Sequence, residues 1–99
     1  MKALSEADIK KLLSVKFENW SFDGTFLSRN FRFKNFITAF SFMTSVALEA
    51  EKMDHHPDWS NIYNSVTIRL NTHDANGITK LDFDLALAID KISESYTSV

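Results

Sequence analysis

The chain has no cysteine, one proline and two glycines among its 99 residues, and each scarcity removes a class of answer. Without cysteine there is no disulfide framework, no thiolate nucleophile and no cysteine-ligated zinc, so the fold stands on packing alone. That fits a reducing compartment. A disordered chain would be richer in proline and glycine and poorer in aromatics than this one, which is 44% apolar. No run approaches the roughly 20 apolar residues needed to span a bilayer, and Met1-Lys2-Ala3-Leu4-Ser5-Glu6 lacks the apolar core of a signal peptide. A cytoplasmic protein with no membrane partner is expected. An excess of basic charge is missing too. A formal charge of -2 and an isoelectric point near 5.8 offer no electrostatic grip on nucleic acid, which leaves small ligands and proteins as partners. The length suits a single domain, 1–99, with one core.

What is present reads as alternating elements. Ser5-Glu6-Ala7-Asp8 has the form of a helix-opening capping box, with Leu4 and Ile9 placed to close a hydrophobic staple. Ile9, Leu12 and Leu13 then predict a helix over about 6–14. Phe17, Trp20 and Phe22, then Asp23-Gly24, then Leu27, Phe31 and Phe33 predict a β-hairpin turning at Asp-Gly, with a bulge near Asn19 where alternation breaks. Over 35–54 the spacing turns helical. Phe36, Ala39, Phe40, Met43, Val46, Ala47 and Ala50 form one stripe, widened by Phe42 and Leu48. The extra width fits either a thick core or contact with another subunit. Pro57 ends that helix by Asp54 or His55. Two more strands follow, Trp59 to Tyr63 and Val66 to His73, around Asn64-Ser65. After the loop Asp74-Ala75-Asn76-Gly77, Thr79-Lys80-Leu81-Asp82 opens a last helix with a second capping box. Its buried stripe is Ile78, Leu81, Leu85, Ala88, Ile89 and Ile92. A ββα unit thus appears twice after the first helix. The expected fold is an α+β two-layer sandwich, order α-ββα-ββα, with a four-stranded antiparallel sheet carrying its helices on one face. The other sheet face is left needing a partner or ligand.

The chemistry concentrates in Glu51-Lys52-Met53-Asp54-His55-His56-Pro57-Asp58-Trp59, at the boundary between helix and strand. Histidine, with an unperturbed pKa of about 6.5, populates both protonation states near neutrality. The third histidine, His73, ends a later strand. If the fold joins all three, acid–base work follows, one imidazole donating while another accepts and a carboxylate orients either. A metal site fits less well, because adjacent histidines do not match the familiar ligand spacings. The bland readings stand beside these. His55-His56 suits a solvated helix terminus, His73 a surface strand end, Glu51 an exposed helix charge and Asp82 a first-turn cap. Trp20 and Trp59 suit the core.

Glu51, His55-His56-Pro57, Tyr63, Thr72-His73-Asp74 and Asp82, at these spacings, resemble the signature of the pterin-4a-carbinolamine dehydratase family. Trp20 and Phe40-Ser41-Phe42-Met43 resemble its flanking positions. Ser60 departs from the aromatic or aliphatic residue common there, and Asn76 from glycine. The resemblance implies dehydration of 4a-hydroxytetrahydropterins to quinonoid dihydropterin, recycling the cofactor of aromatic amino-acid hydroxylases, with no metal and no cofactor. It implies His55 and His73 as general acids and bases and His56 as mainly binding the ring. Glu51 and Asp82 would be orienting carboxylates, Pro57 part of the motif, and Trp20 the aromatic wall. It further implies a homodimer or homotetramer, and a second possible role. Vertebrate members act as dimerisation cofactors of a homeodomain transcription factor through the middle helix, here Phe42, Met43, Val46 and Leu48.

Overall fold

In the computed structural model, which describes residues 1–96, seven main elements alternate along the chain. They are α1 (Glu6–Val15), β1 (Ser21–Phe22), β2 (Leu27–Arg32), α2 (Phe36–Met53), β3 (Asp58–Ile62), β4 (Ser65–Leu70) and α3 (Lys80–Ser93). Single 3-10 turns cover His73–Ala75 and Glu94–Tyr96. The strands form one antiparallel sheet in the order β1-β2-β4-β3, so the expected four-stranded α+β sandwich is the one found.

Register explains the layering. Leu27 lies opposite Leu70 and Phe31 opposite Val66, which puts the apolar residues of both central strands on one face. There they join Ala39, Phe42, Val46 and Ala50 of α2 and Phe83, Leu85, Ala86 and Ile89 of α3 in one core. On the other face, the Asn30 amide donates to Ser65 Oγ and Thr67 Oγ1, each at 2.9 Å. Arg69 holds Asp58 at 2.9 Å. That face, expected to need a partner, satisfies much of its own polarity across strands.

The caps are where the chemistry of the sequence put them. Ser5 accepts from the Asp8 N–H at 3.1 Å, and Asn35 from Thr38 at 2.8 Å to start α2. At Thr79 both halves of the capping box form. The α2 helix stops at Met53 because Asp54 turns left-handed, φ 52°, ahead of Pro57.

Five expectations need correction. Residues 16–20 form a turn rather than a bulged strand. The Trp20 N–H donates to the Phe17 carbonyl at 2.9 Å, so both rings enter the core three residues apart. The hairpin turn takes positive φ only at Gly24 (99°), while the Asp23 carboxylate accepts from the N–H groups of Thr25 and Phe26 at 2.8 and 2.7 Å. The second hairpin turns at Tyr63-Asn64, since Ile62 pairs with Ser65. β4 ends at Leu70, which leaves His73 on a 3-10 turn.

The fifth concerns the face of α2. Phe42 is fully buried, its ring 4.9 and 4.8 Å from those of Phe31 and Phe33. Phe36 and Phe40 instead pack against each other outside, 46% and 55% exposed. An apolar surface wider than one stripe gives no polar edge from which periodicity can fix the inward direction.

Candidate active site

Three chain ends meet: the C-terminus of α2, the end of β4 and the N-terminus of α3. Asp54 and Pro57 force the chain out of the helix, with the His55 N–H still bonded to the Ala50 carbonyl at 3.0 Å. Beyond β4, Thr72 and Gly77 pair as an isolated bridge and close the loop carrying His73. Asn76 takes the left-handed conformation there, φ 56°, one of the few that asparagine adopts at little cost in place of glycine. The result is a cavity of about 340 Å³ lined by His55, His56 and His73, with Asn71, Thr72, Asp74 and Leu81 among its other walls. All three histidines are brought together.

They are held differently. His55 is nearly buried, and its Nε2 lies 2.6 Å from Oδ1 of Asp82, a carboxylate with no exposure at all. Oδ2 of Asp82 accepts from the Thr72 hydroxyl and from the Thr79 N–H, both at 2.8 Å. Thr72 and Thr79 hydroxyls are 2.7 Å apart. Thr72 spends its one proton on Asp82, so Thr79 donates to Thr72. A carboxylate accepts, which makes His55 Nε2–H the donor to it and leaves Nδ1 turned away from the pair. Among the described residues no buried side-chain nitrogen or oxygen lacks a partner and Nδ1 bonds none of them, so it reaches solvent.

The exposed side is looser. His56 Nε2 lies 2.8 Å from Glu51 Oε1, with the two side chains 59% and 80% exposed. His73 is exposed at the start of its turn. Among the described residues no group of three His, Cys, Asp or Glu side chains is placed to hold a metal ion.

Two of the residues singled out lie elsewhere. Trp20 is 4% exposed in the core, edge-on to Phe31, and donates its indole N–H to Asp90 at 2.9 Å. It does not line the histidine cavity, because an indole flanked by core aromatics and offered a carboxylate is held most firmly inside. Pro57 shapes the backbone behind His56 and is not among the cavity walls. What sequence reasoning missed is the hydroxyl pair Thr72–Thr79. Thr79 was legible as a cap, but its contact with Thr72 depends on how β4 and α3 meet.

Comparison with known proteins places the chain in a family. A family model described as pterin 4 alpha carbinolamine dehydratase matches residues 2–92. A Christiangramia forsetii protein, provisionally named pterin-4-alpha-carbinolamine dehydratase, is 46% identical over 95 residues, covering 96% of this chain and 97% of its own. A Prochlorococcus marinus protein with the same provisional name is 56% identical over 77 residues, 78% of this chain and 81% of its own. Among solved structures, a Brucella melitensis protein described as a transcriptional coactivator/pterin dehydratase superposes with a TM-score of 0.86 at 43% identity. It covers 92% of this chain and 98% of that one. A pterin dehydratase-like protein described as a RuBisCO assembly factor shares the fold, with a TM-score of 0.63 at 17% identity over 75% of this chain and 86% of that one. With nearly the whole chain matched, and the histidines of the motif gathered on one cavity, the protein belongs to the pterin 4 alpha carbinolamine dehydratase family.

Proposed function

We propose that the protein, as one domain over residues 1–99, dehydrates 4a-hydroxytetrahydropterins to quinonoid dihydropterin and water by histidine acid–base catalysis. The observation that carries this is the cavity shared by three histidines, one with its tautomer set by a buried carboxylate. The reaction breaks the C4a–O bond with a proton delivered to the departing hydroxyl. A ring nitrogen gives up its proton to a base as the C=N bond forms. His55 Nδ1 and His73 serve as that acid and base from separate walls, and His56, steadied by Glu51, binds the ring. Asp82 orients His55. No metal or cofactor takes part, and the reaction recycles the pterin of aromatic amino-acid hydroxylases in the cytoplasm. Stopped-flow absorbance on a 4a-hydroxytetrahydropterin tests this. Wild type should accelerate its loss equally with and without EDTA, and folded protein that leaves the rate unchanged refutes the enzyme.

A second reading rests on α2, where Phe36, Ile37, Phe40 and Leu48 are 46% to 75% exposed on one helix. We propose that this face pairs with further copies of the chain in a homodimer or homotetramer, and through such contacts supports a protein-interaction role. The contact set read from the sequence shifts accordingly, since Phe42 and Val46 are core. Light scattering should give a multiple of the chain mass that Phe40→Glu reduces. A monomeric wild type refutes it.

A further inference from the structure

The loop that carries His73 is tied to residues ahead of α1. Its own backbone bonds join it only to itself. The N–H of Ala75 donates to the Thr72 carbonyl at 3.1 Å, that of Asn76 to His73 at 3.0 Å and that of Thr72 to Gly77 at 2.8 Å. Leu4 supplies a tie from outside, its N–H donating to the Ile78 carbonyl at 2.7 Å, one residue beyond the bridge that closes the loop. Ile78 is buried and Leu4 packs against the core, so this tie is anchored in the interior.

A second contact lies beside it. A Cβ built on Gly77 would stand 3.0 Å from the Cβ of Ala3, inside the roughly 3.5–4.0 Å at which two carbon atoms pack best. Backbone conformation does not demand glycine here, since Gly24 alone of the two glycines takes positive φ. The closeness of Ala3 does. Residues 3–4 therefore lie directly across 77–78, at the exit of the loop, while Thr72 at its entry is held by the buried Asp82. None of Ala3, Leu4, Gly77 and Ile78 lines the histidine cavity, so this arm acts on the site only through the loop.

We propose that Ala3 and Leu4 form a clamp on the loop, a positioning element that keeps His73 turned to the cavity. The inference rests on the reading of His73 as an acid or base of the dehydratase. Gly77→Ala puts a methyl into the contact, Ala3→Gly takes one out, and the two combined move the methyl across. Ala3→Val crowds the same contact from an exposed residue, which keeps the test open should Gly77→Ala not fold. Each is measured on a 4a-hydroxytetrahydropterin and by amide hydrogen exchange, with His73 present and in a His73→Ala background.

Gly77→Ala should lower kcat about tenfold with KM within about twofold, since a misplaced acid–base group slows the chemistry while the walls at His55 and His56 still bind the ring. The N–H groups of Ala75 and Asn76 should exchange about tenfold faster. Ala3→Val should move both readings the same way, and the combined Ala3→Gly/Gly77→Ala should recover both. In the His73→Ala background Gly77→Ala should cost no further turnover, because a clamp acting through His73 has nothing left to hold. A loss that adds in full, a combined variant that recovers nothing, or crowding that leaves kcat and exchange unchanged overturns the clamp, while the wild-type rate leaves the dehydratase standing. Wild type inert on the substrate overturns the dehydratase reading and the clamp's part in it together.

Discussion

The two halves of the site use the same residue type under opposite conditions. On the inner side, His55 meets a carboxylate without exposure that is simultaneously the N3 half of the α3 capping box and the acceptor for Thr72. On the outer side, His56 meets Glu51 in a contact that is mostly solvated, and the exposed His73 side chain has no hydrogen-bond partner among the described residues. An imidazole fixed inside has one tautomer and one direction, whereas one left outside can turn toward whatever binds. Orientation by a buried network costs stability when broken. Orientation at the surface costs little to make or lose.

The sharpest way to break this contrast is Asp82→Ala. It strands His55 N–H, the Thr72 hydroxyl and the Thr79 N–H and removes half of the capping box. Urea denaturation should show a loss of about 3 kcal/mol or more, with turnover falling by at least about 10². Asp82→Asn keeps the volume and the cap oxygen, so it should restore most of the stability and little of the turnover. If both variants are equally inactive and equally unstable, the residue is structural alone. His73→Ala sharpens the other half, with turnover expected to drop by roughly 10². Its thermal midpoint should be unmoved, as for an exposed side chain. An unchanged rate takes His73 out of the mechanism.

Smaller effects belong to the solvated carboxylates. Glu51→Gln, at 80% exposure, should shift stability by no more than about 0.5 kcal/mol. Its effect should show as a modest rise in KM, and a fall in kcat as large as that of His73→Ala would place Glu51 in the chemistry. Asp23 is the exposed counterpart of Asp82, again a carboxylate holding backbone N–H groups. The N–H of Phe26, then that of Thr25, keeps its titration below the ordinary 3.8. A depressed folded pKa contributes stability above the unfolded value and loses it as pH falls through the folded one. An NMR titration of the Asp23 carboxyl should therefore inflect below 3.8. An inflection at or above that value would show that the turn is not held this way.

Much of this was legible in one dimension. Capping signals at Ser5 and Thr79, the proline after His56 and the apolar alternation of β4 are local rules, and local hydrogen bonding and sterics enforce them at 5–8, 79–82 and 54–57 whatever surrounds them. The ββα order and the motif around the histidines were readable for the same reason. Less local features were not. Phe17 and Trp20 enter the core from a turn because of where the sheet edge lies, and Phe42 rather than Phe40 points inward because Phe31 and Phe33 are there to receive it.

The site divides the same way. The sequence by itself determined which groups are available: three histidines, Glu51 and Asp82, each at an element boundary. Only the tertiary structure decided that His73 faces the same cavity as His55, that Trp20 turns to Asp90 instead, and that Thr72 and Thr79 share a proton chain ending on Asp82. Those outcomes depend on contacts between residues far apart in the chain, which register and helix packing set together, and no single stretch carries them.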